Sequence, residues 1–366
     1  MPTTKTGILE LEQKGFGFLR QLSNNFARLP GDVFIPPPMI LQYHLEQGVI
    51  LEVTAEEGQG KNRALEVLSI QGRPPQDWMQ LANFEALPAI SPETALWLEM
   101  GPQNNTQRVI DLFAPIGEGQ RALIVAPPRS GKTMMLQDIA TAIAKNYPKH
   151  DLFALLLDER PEEVTEFRRS MKGTVLSSSY DDSVANHLRL AKLVLDYTKR
   201  QVEAGENVVL LIDSLTRTGR AFNIGQQGSG RMMTGGLDAR ALEIPKKVFG
   251  AARKIENGGS LTIIATILVD TGSRMDDYIF EEFKGTGNME LVLDRSLAND
   301  RLYPAINVRD SGTRREEKLF GEKTDAHQKL RRSLQNLPPK EAIQKILQLL
   351  KTFPTNEAVL AKFGAK

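Results

Sequence analysis

The chain has no cysteine, which removes disulfides, thiolate metal sites and thiol nucleophiles together. Histidine is almost as scarce. His44, His150, His187 and His327 are scattered without the spacing of metal ligands, so a zinc centre is not expected. An excess of either charge is also missing: 46 Lys and Arg face 45 Asp and Glu, for a formal net charge of +1. Any polyanion must therefore be met by local basic patches or a channel, not by a generally cationic surface. Long hydrophobic runs are absent as well. The longest, Leu261-Thr-Ile-Ile-Ala-Thr-Ile-Leu-Val269, is far too short to span a bilayer, and the first ten residues carry no hydrophobic signal segment. A soluble, cytoplasmic protein with no membrane partner is the expectation.

What is present falls into two patterns. Over residues 1–72 the short runs Gly7-Ile-Leu-Glu-Leu11, Gly15-Phe-Gly-Phe-Leu19, Asp32-Val-Phe-Ile35 and Val49-Ile-Leu-Glu-Val53 are separated by Gly, Pro and Asn. This spacing predicts a small β-barrel. Arg73-Pro-Pro-Gln-Asp77 ends the pattern, and residues 73–107 read as a connector with little periodicity. Over residues 108–366, apolar strands at Arg121–Val125, Leu152–Leu157, Val208–Ile212 and Leu261–Leu268 alternate with helical stretches such as Ser183–Ala204. That alternation predicts an α/β unit with a mostly parallel sheet covered on both faces, whose ligands bind at the carboxyl ends of the strands. Beyond Arg315 the chain is charged and helical, and Pro338–Leu350 reads as a helix packed on the core.

Between the apolar runs Ala122-Leu-Ile-Val125 and Met134-Met-Leu-Gln-Asp-Ile-Ala140 lies Ala126-Pro-Pro-Arg-Ser-Gly-Lys-Thr133, a strand–turn–helix pattern. Unsatisfied backbone N–H groups at the start of such a helix hold a polyphosphate, while Lys132 neutralises charge and Thr133 faces a magnesium ion. Pro128, Arg129, Ser130 and Gly131 complete the cradle. Ala126 stands where this pattern usually opens with glycine. The strand Val208-Val-Leu-Leu-Ile-Asp213 ends in a carboxylate suited to the metal's water shell, although a strand-end cap explains Asp213 equally well until it is paired with Lys132. Leu155-Leu-Leu-Asp-Glu-Arg-Pro-Glu-Glu163 delivers Glu159 at another strand end, as candidate base for a water attacking a γ-phosphate. A charge cluster favouring the next helix accounts for Glu162 and Glu163 but less well for Glu159.

These motifs, together with Asp213-Ser-Leu-Thr-Arg217, Phe249-Gly-Ala-Ala-Arg253, Asp270-Thr-Gly-Ser-Arg-Met-Asp276, Glu281-Glu-Phe-Lys-Gly-Thr-Gly-Asn-Met-Glu290 and Ser311-Gly-Thr-Arg-Arg-Glu316, resemble the Rho family of bacterial transcription termination factors. The resemblance implies an α/β RecA-type P-loop NTPase core behind an OB or cold-shock-like barrel, with ATP and Mg2+ as cofactors. It further implies that Lys132 and Thr133 bind phosphates and magnesium, Glu159 activates water, Asp213 supports the metal, and Arg314 is an arginine finger from a neighbouring subunit. Arg160 and Arg301 would sense or stabilise charge. Met134 and Tyr303 are placed to sandwich the adenine, a core role being the alternative.

In Gly15-Phe16-Gly17-Phe18-Leu19-Arg20 the two rings stand two apart and share one face of a strand, which builds a stacking platform. Arg20 would meet phosphate or a base edge, and Asp32 with Phe34 forms a second aromatic–polar pair; barrel core is the competing reading. By resemblance, Arg231 in Gly225–Gly236 and Arg274 in Asp270–Asp277 grip RNA from loops lining a pore. The expected activity is that of an RNA-dependent ATPase ring, a homo-oligomer and by resemblance a hexamer, that draws in single-stranded nascent RNA and dislodges RNA polymerase. A ring that uses ATP only to switch its grip on RNA is the alternative. Several positions depart from the family pattern. Gly60-Lys-Asn-Arg-Ala-Leu65 lacks the Arg-Tyr pair that completes a cytosine pocket, arginine replaces lysine at 129, 231 and 274, and Tyr303 replaces phenylalanine.

Overall fold

The computed structural model describes residues 2–58, 61–225 and 240–364. Five strands, β1 Thr3–Leu11, β2 Gly17–Arg20, β3 Val33–Ile35, β4 Ile50–Gly58 and β5 Lys61–Ile70, close into a barrel in the order β1-β2-β3-β5-β4. Alternation drives the closure: Leu51, Val53 and Ala55 of β4 point inward to meet Leu9, Leu19, Val33 and Ile35, while the intervening residues face out. β3 joins β5 in parallel and every other pairing is antiparallel. β5 escapes a period-two reading for a physical reason. Two register shifts against β4 place its buried residues at Ala64, Val67 and Ile70, three apart.

The second unit is built on β6 Ala89–Ile90, β7 Arg121–Ala126, β8 Asp151–Glu159, β9 Thr174–Ser179, β10 Asn207–Asp213, β11 Arg253–Ile255, β12 Ser260–Leu268, β13 Met289–Val292 and β14 Gly312–Thr313. Its main path runs β14-β13-β7-β12-β10-β8-β9, parallel from β13 to β9, with β14 antiparallel at the edge. Helices cover both faces, so β7, β10 and β12 are buried along nearly their whole length and mostly apolar between their ends. Residues 73–107 contribute to this unit: β6 pairs with β11, and Leu96 and Leu98 are wholly buried. The tail packs back on the helix Asn105–Phe113, where the buried Arg108 donates to Leu350 O (3.0 Å), Phe353 O (2.7 Å) and Asn356 Oδ1 (3.2 Å). Among the described residues no helix is long and apolar enough to cross a membrane.

The barrel is docked onto the sheet unit by side chains of its own. Phe26, with φ 54°, and Ile8 are buried in the cluster formed by the helix Val184–Glu203 and the sheet, and the Phe26 ring lies 6.2 Å from that of Tyr197. Asn25 Oδ1 accepts from Ser177 N (2.7 Å), Asn25 Nδ2 donates to Ser177 O, and Gln47 Nε2 donates to Asp196 Oδ2 (2.7 Å). Gly48 permits the approach, since at φ 89° a Cβ there would stand 2.4 Å from Tyr197 N. Truncating Phe26 to Ala is expected to destabilise the chain by roughly 3–5 kcal/mol in chemical denaturation. A loss below about 1 kcal/mol would show that the docking does not depend on this ring.

Candidate functional site

The turn after β7 holds Arg129 at φ 63° and Gly131 at φ 95°, left-handed conformations that turn neighbouring N–H groups toward one side. Ser130 is buried and its Oγ donates to Pro127 O (2.7 Å). The helix Lys132–Asn146 then starts with no side-chain cap, leaving its first N–H groups for an anion. Because β7, β12, β10 and β8 are parallel neighbours, their carboxyl ends bring three distant segments together. Lys132 Nζ is ion-paired with Asp213 Oδ1 and lies 3.7 Å from Glu159 Oε1. Asp213 Oδ1 also accepts from Thr266 Oγ1 of β12 (2.8 Å).

Glu159 is 2 % exposed, and neither carboxylate oxygen has a hydrogen-bond partner of proper angle, although Arg217 Nε lies 3.0 Å from Oε1. Burial above all, reinforced by the Asp213 charge and by Glu163, pushes its pKa above the usual carboxylate range, against the pull of Lys132 and Arg217. A buried orphan carboxylate beside a lysine held by a second carboxylate fits a nucleotide site. Phosphates bound on this turn would offer Lys132 a new partner and would free Asp213, whose carboxylate, with the Thr133 hydroxyl, is a donor set that fits a magnesium ion. Met134 and Tyr303 are 60 % and 50 % exposed, outside the core, and Tyr303 Oη donates to Ala298 O (3.4 Å). Arg160 caps the helix Pro161–Ser170 with its side chain in solvent, 3.7 Å from Glu163, and Arg301 is exposed at φ 58°.

Arg314 sits elsewhere. After Tyr303 the chain runs antiparallel along β13, Asn307 N donating to Val292 O and Arg314 N to Asn288 O, so Arg314 emerges where β7 and β13 begin. The whole of β7, roughly 17 Å, separates it from its own phosphate turn.

On the barrel, Glu10, Phe18, Phe34 and Arg63 are successive cross-strand partners over β1, β2, β3 and β5. Phe16, Phe18 and Phe34 are half-buried, lie outside the barrel core, and meet with ring centroids 5.5–5.8 Å apart. They line a cavity of about 610 Å³ together with Arg20, Arg28, Leu29, Pro30, Asp32 and Asn62. Arg20 is no free cation: its side chain is 4 % exposed, pairs with Glu10 (2.5 Å) and Asp32, and lies 5.0 Å from the Phe18 centroid. It holds the platform and offers only an edge to the cavity, and Asp32 is likewise engaged. Glu10 in turn pairs with Arg189 of the helix Val184–Glu203.

Comparison with known proteins agrees with this two-part layout. Residues 5–76 match the Rho termination factor, RNA-binding domain, and residues 106–313 match the ATP synthase alpha/beta family, nucleotide-binding domain. Transcription termination factor Rho of Cereibacter sphaeroides is 46% identical over 358 residues, covering 96% of this chain and 85% of the relative. That of Pseudomonas aeruginosa is 47% identical over 360 residues, with the same coverages. The chain belongs to the Rho family. Among solved structures, a prototypical ATPase from the type III secretion system of pathogenic bacteria superposes with TM-score 0.61 at 21% identity, covering 75% of this chain and 85% of that one. The shared fold is the RecA-type ATPase core.

Within this Rho-family site, Thr266 and Arg217 carry contacts that sequence reasoning left without a role. A hydroxyl near the carboxyl end of the otherwise mostly apolar β12, and an arginine four residues after Asp213, were the available signals. On the platform, Arg28, Asn62 and Arg63 were also missed, Arg63 lying in the stretch read only as a departure from the Rho pattern. Arg274 is exposed at the start of the helix Arg274–Lys284, on the carboxyl edge of β12. Its loop is tied to the helix after Asp213 by Asp276, which accepts from Arg220 Nε (2.7 Å) and Thr271 Oγ1 (2.5 Å). Arg231 lies outside the described residues.

Proposed function

We propose that this Rho-family chain is an RNA-dependent ATPase that assembles in the cytoplasm as a homo-oligomeric ring of six, draws in single-stranded nascent RNA and dislodges RNA polymerase. The observation that supports the ring is the placement of Arg314 at the opposite end of the sheet from Lys132, Asp213 and Glu159. A finger so placed serves a neighbour. ATP lies with its phosphates on the 128–133 turn, Met134 and Tyr303 flank the adenine, and Lys132 moves from Asp213 to the phosphates. Thr133 and Asp213 would hold magnesium, which would supply charge neutralisation at the phosphates. Glu159 takes the proton of the attacking water, whose oxygen bonds to the γ-phosphorus as ADP leaves. The neighbour's Arg314 neutralises the equatorial oxygens, with Arg160 and Arg301 as further cations near the site. RNA stacks on Phe16, Phe18 and Phe34, and Arg231 and Arg274 hold its backbone in the pore.

The test is release of transcripts from a stalled polymerase by the purified protein with ATP, paired with a Phe16→Ala, Phe18→Ala double variant. At about 1–3 kcal/mol per stacked base, that variant is expected to lose roughly 10- to 10²-fold or more in affinity for single-stranded RNA and to stop releasing transcripts, while RNA-independent hydrolysis persists. Unchanged RNA affinity would remove the platform. RNA-stimulated hydrolysis without release would replace the motor by a ring that only switches its grip.

A further inference from the structure

The turn that carries Arg314 is held by a side chain from the C-terminal helices. Arg331, on the helix Thr324–Arg332, donates through Nη1 to Ser311 O (2.9 Å) and Val308 O (3.2 Å), and through Nη2 to Phe113 O and Glu316 Oε2 (3.4 Å). Its guanidinium lies 5.6 Å from the centroid of the Phe113 ring. The acceptors bracket position 314, three residues before it and two after. Two further contacts fix the same stretch: Thr313 Oγ1 donates to Pro115 O (2.7 Å) and Ser311 Oγ accepts from Val292 N (2.9 Å). Arg314 itself is different. Among the described residues its guanidinium has no hydrogen bond or ion pair, and its positive charge adds to burial and to the charge of Arg253 in lowering the pKa of Arg121. It stands exposed at a cavity of about 450 Å³ that Asn288, Glu290, Arg315 and Arg331 also line. An unpaired cation on a tightly held turn is pre-organised for an anion that its own chain does not supply.

We propose that Arg331 is the positioning residue for Arg314, so that the C-terminal helices of one subunit govern hydrolysis in the site of its neighbour. This rests on Arg314 acting as a finger between subunits. Only a planar fork reaches the carbonyls of Val308, Ser311 and Phe113 together; a lysine at 331 keeps the charge and loses the fork. Displacing a catalytic group by about 1 Å costs on the order of 10² in rate. Arg331→Gln and Arg331→Lys are therefore both expected to lower kcat about 10- to 10²-fold while binding a fluorescent ATP analogue as the unaltered protein does.

Mixed rings separate positioning from general damage. Arg331→Gln chains mixed with Lys132→Ala chains regain hydrolysis, because the Lys132→Ala chain brings an intact finger turn to an intact phosphate turn. Mixed with Arg314→Ala chains they do not, since every interface then lacks a working finger. Where Arg331→Gln loses the ATP analogue through misfolding, the same mixtures made with Arg331→Lys decide. Full kcat in the Arg331 variants, or rescue by Arg314→Ala chains, overturns the proposal. The control mixture of Arg314→Ala with Lys132→Ala distinguishes the two readings. No rescue there removes the finger between subunits and this proposal with it, whereas rescue there without rescue of the Arg331 variant removes this proposal alone.

Discussion

Replacing Glu159 by Gln is expected to cut steady-state ATP hydrolysis by roughly 10²- to 10⁴-fold, the range for a lost general base, and to leave ATP binding intact. The split follows from where the carboxylate sits. It is buried at the end of β8, 3.7 Å from Lys132 and without a properly angled hydrogen bond. The amide keeps its shape but does not accept a proton from water, and it removes a charge that burial and Asp213 already disfavour. The variant should therefore unfold no more readily than the unaltered protein. Lys132→Ala offers the contrast, since it removes the cation that faces the phosphates, and loses ATP binding along with turnover. Equilibrium binding of an ATP analogue beside single-turnover hydrolysis reads both. Equal loss of binding in the two variants would show that Glu159 holds nucleotide and has no role as base.

Arg314→Ala is expected to lower hydrolysis by roughly 10³- to 10⁵-fold, the contribution of an arginine finger in comparable NTPases. Its exposure and its lack of a partner within the described residues predict little change in the melting temperature of the chain. Structural damage would appear as a lowered melting temperature or lost ATP binding. The finger role predicts neither, and it predicts recovery of activity when Arg314→Ala chains share rings with Lys132→Ala chains. A variant that hydrolyses ATP at the normal rate would leave the opposite placement of Arg314 and Lys132 without catalytic meaning.

Legibility in the sequence tracked the range of the interaction. β7, β8, β10 and β12 were readable because buried parallel strands are continuous apolar runs, and Lys132, Asp213 and Glu159 were readable because each closes such a run or the turn after it. β6 and β14, two residues each, are too short to show any period, and the bulges of β5 disguise one. The state of Arg20 was out of reach for another reason. Its partners Glu10 and Asp32 belong to one strand and to the approach to another, and only barrel closure sets them around one guanidinium. Arg331 is more distant still, since the carbonyl of Phe113 that it meets is 218 residues away in the chain.

Phe26 and Ile8 of the barrel are seated in the core beneath Val184–Glu203, and Asn25 is bonded twice to the backbone of β9. A barrel cut free at residue 72 would put both apolar side chains in water and leave Glu10 without Arg189. Barrel and ATPase unit are thus joined by packed side chains and not by a linker alone. If RNA stacks on Phe18 and Phe34 as proposed, a pull on it would reach the helix Val184–Glu203 through Arg20, Glu10 and Arg189, and the sheet edge through Asn25.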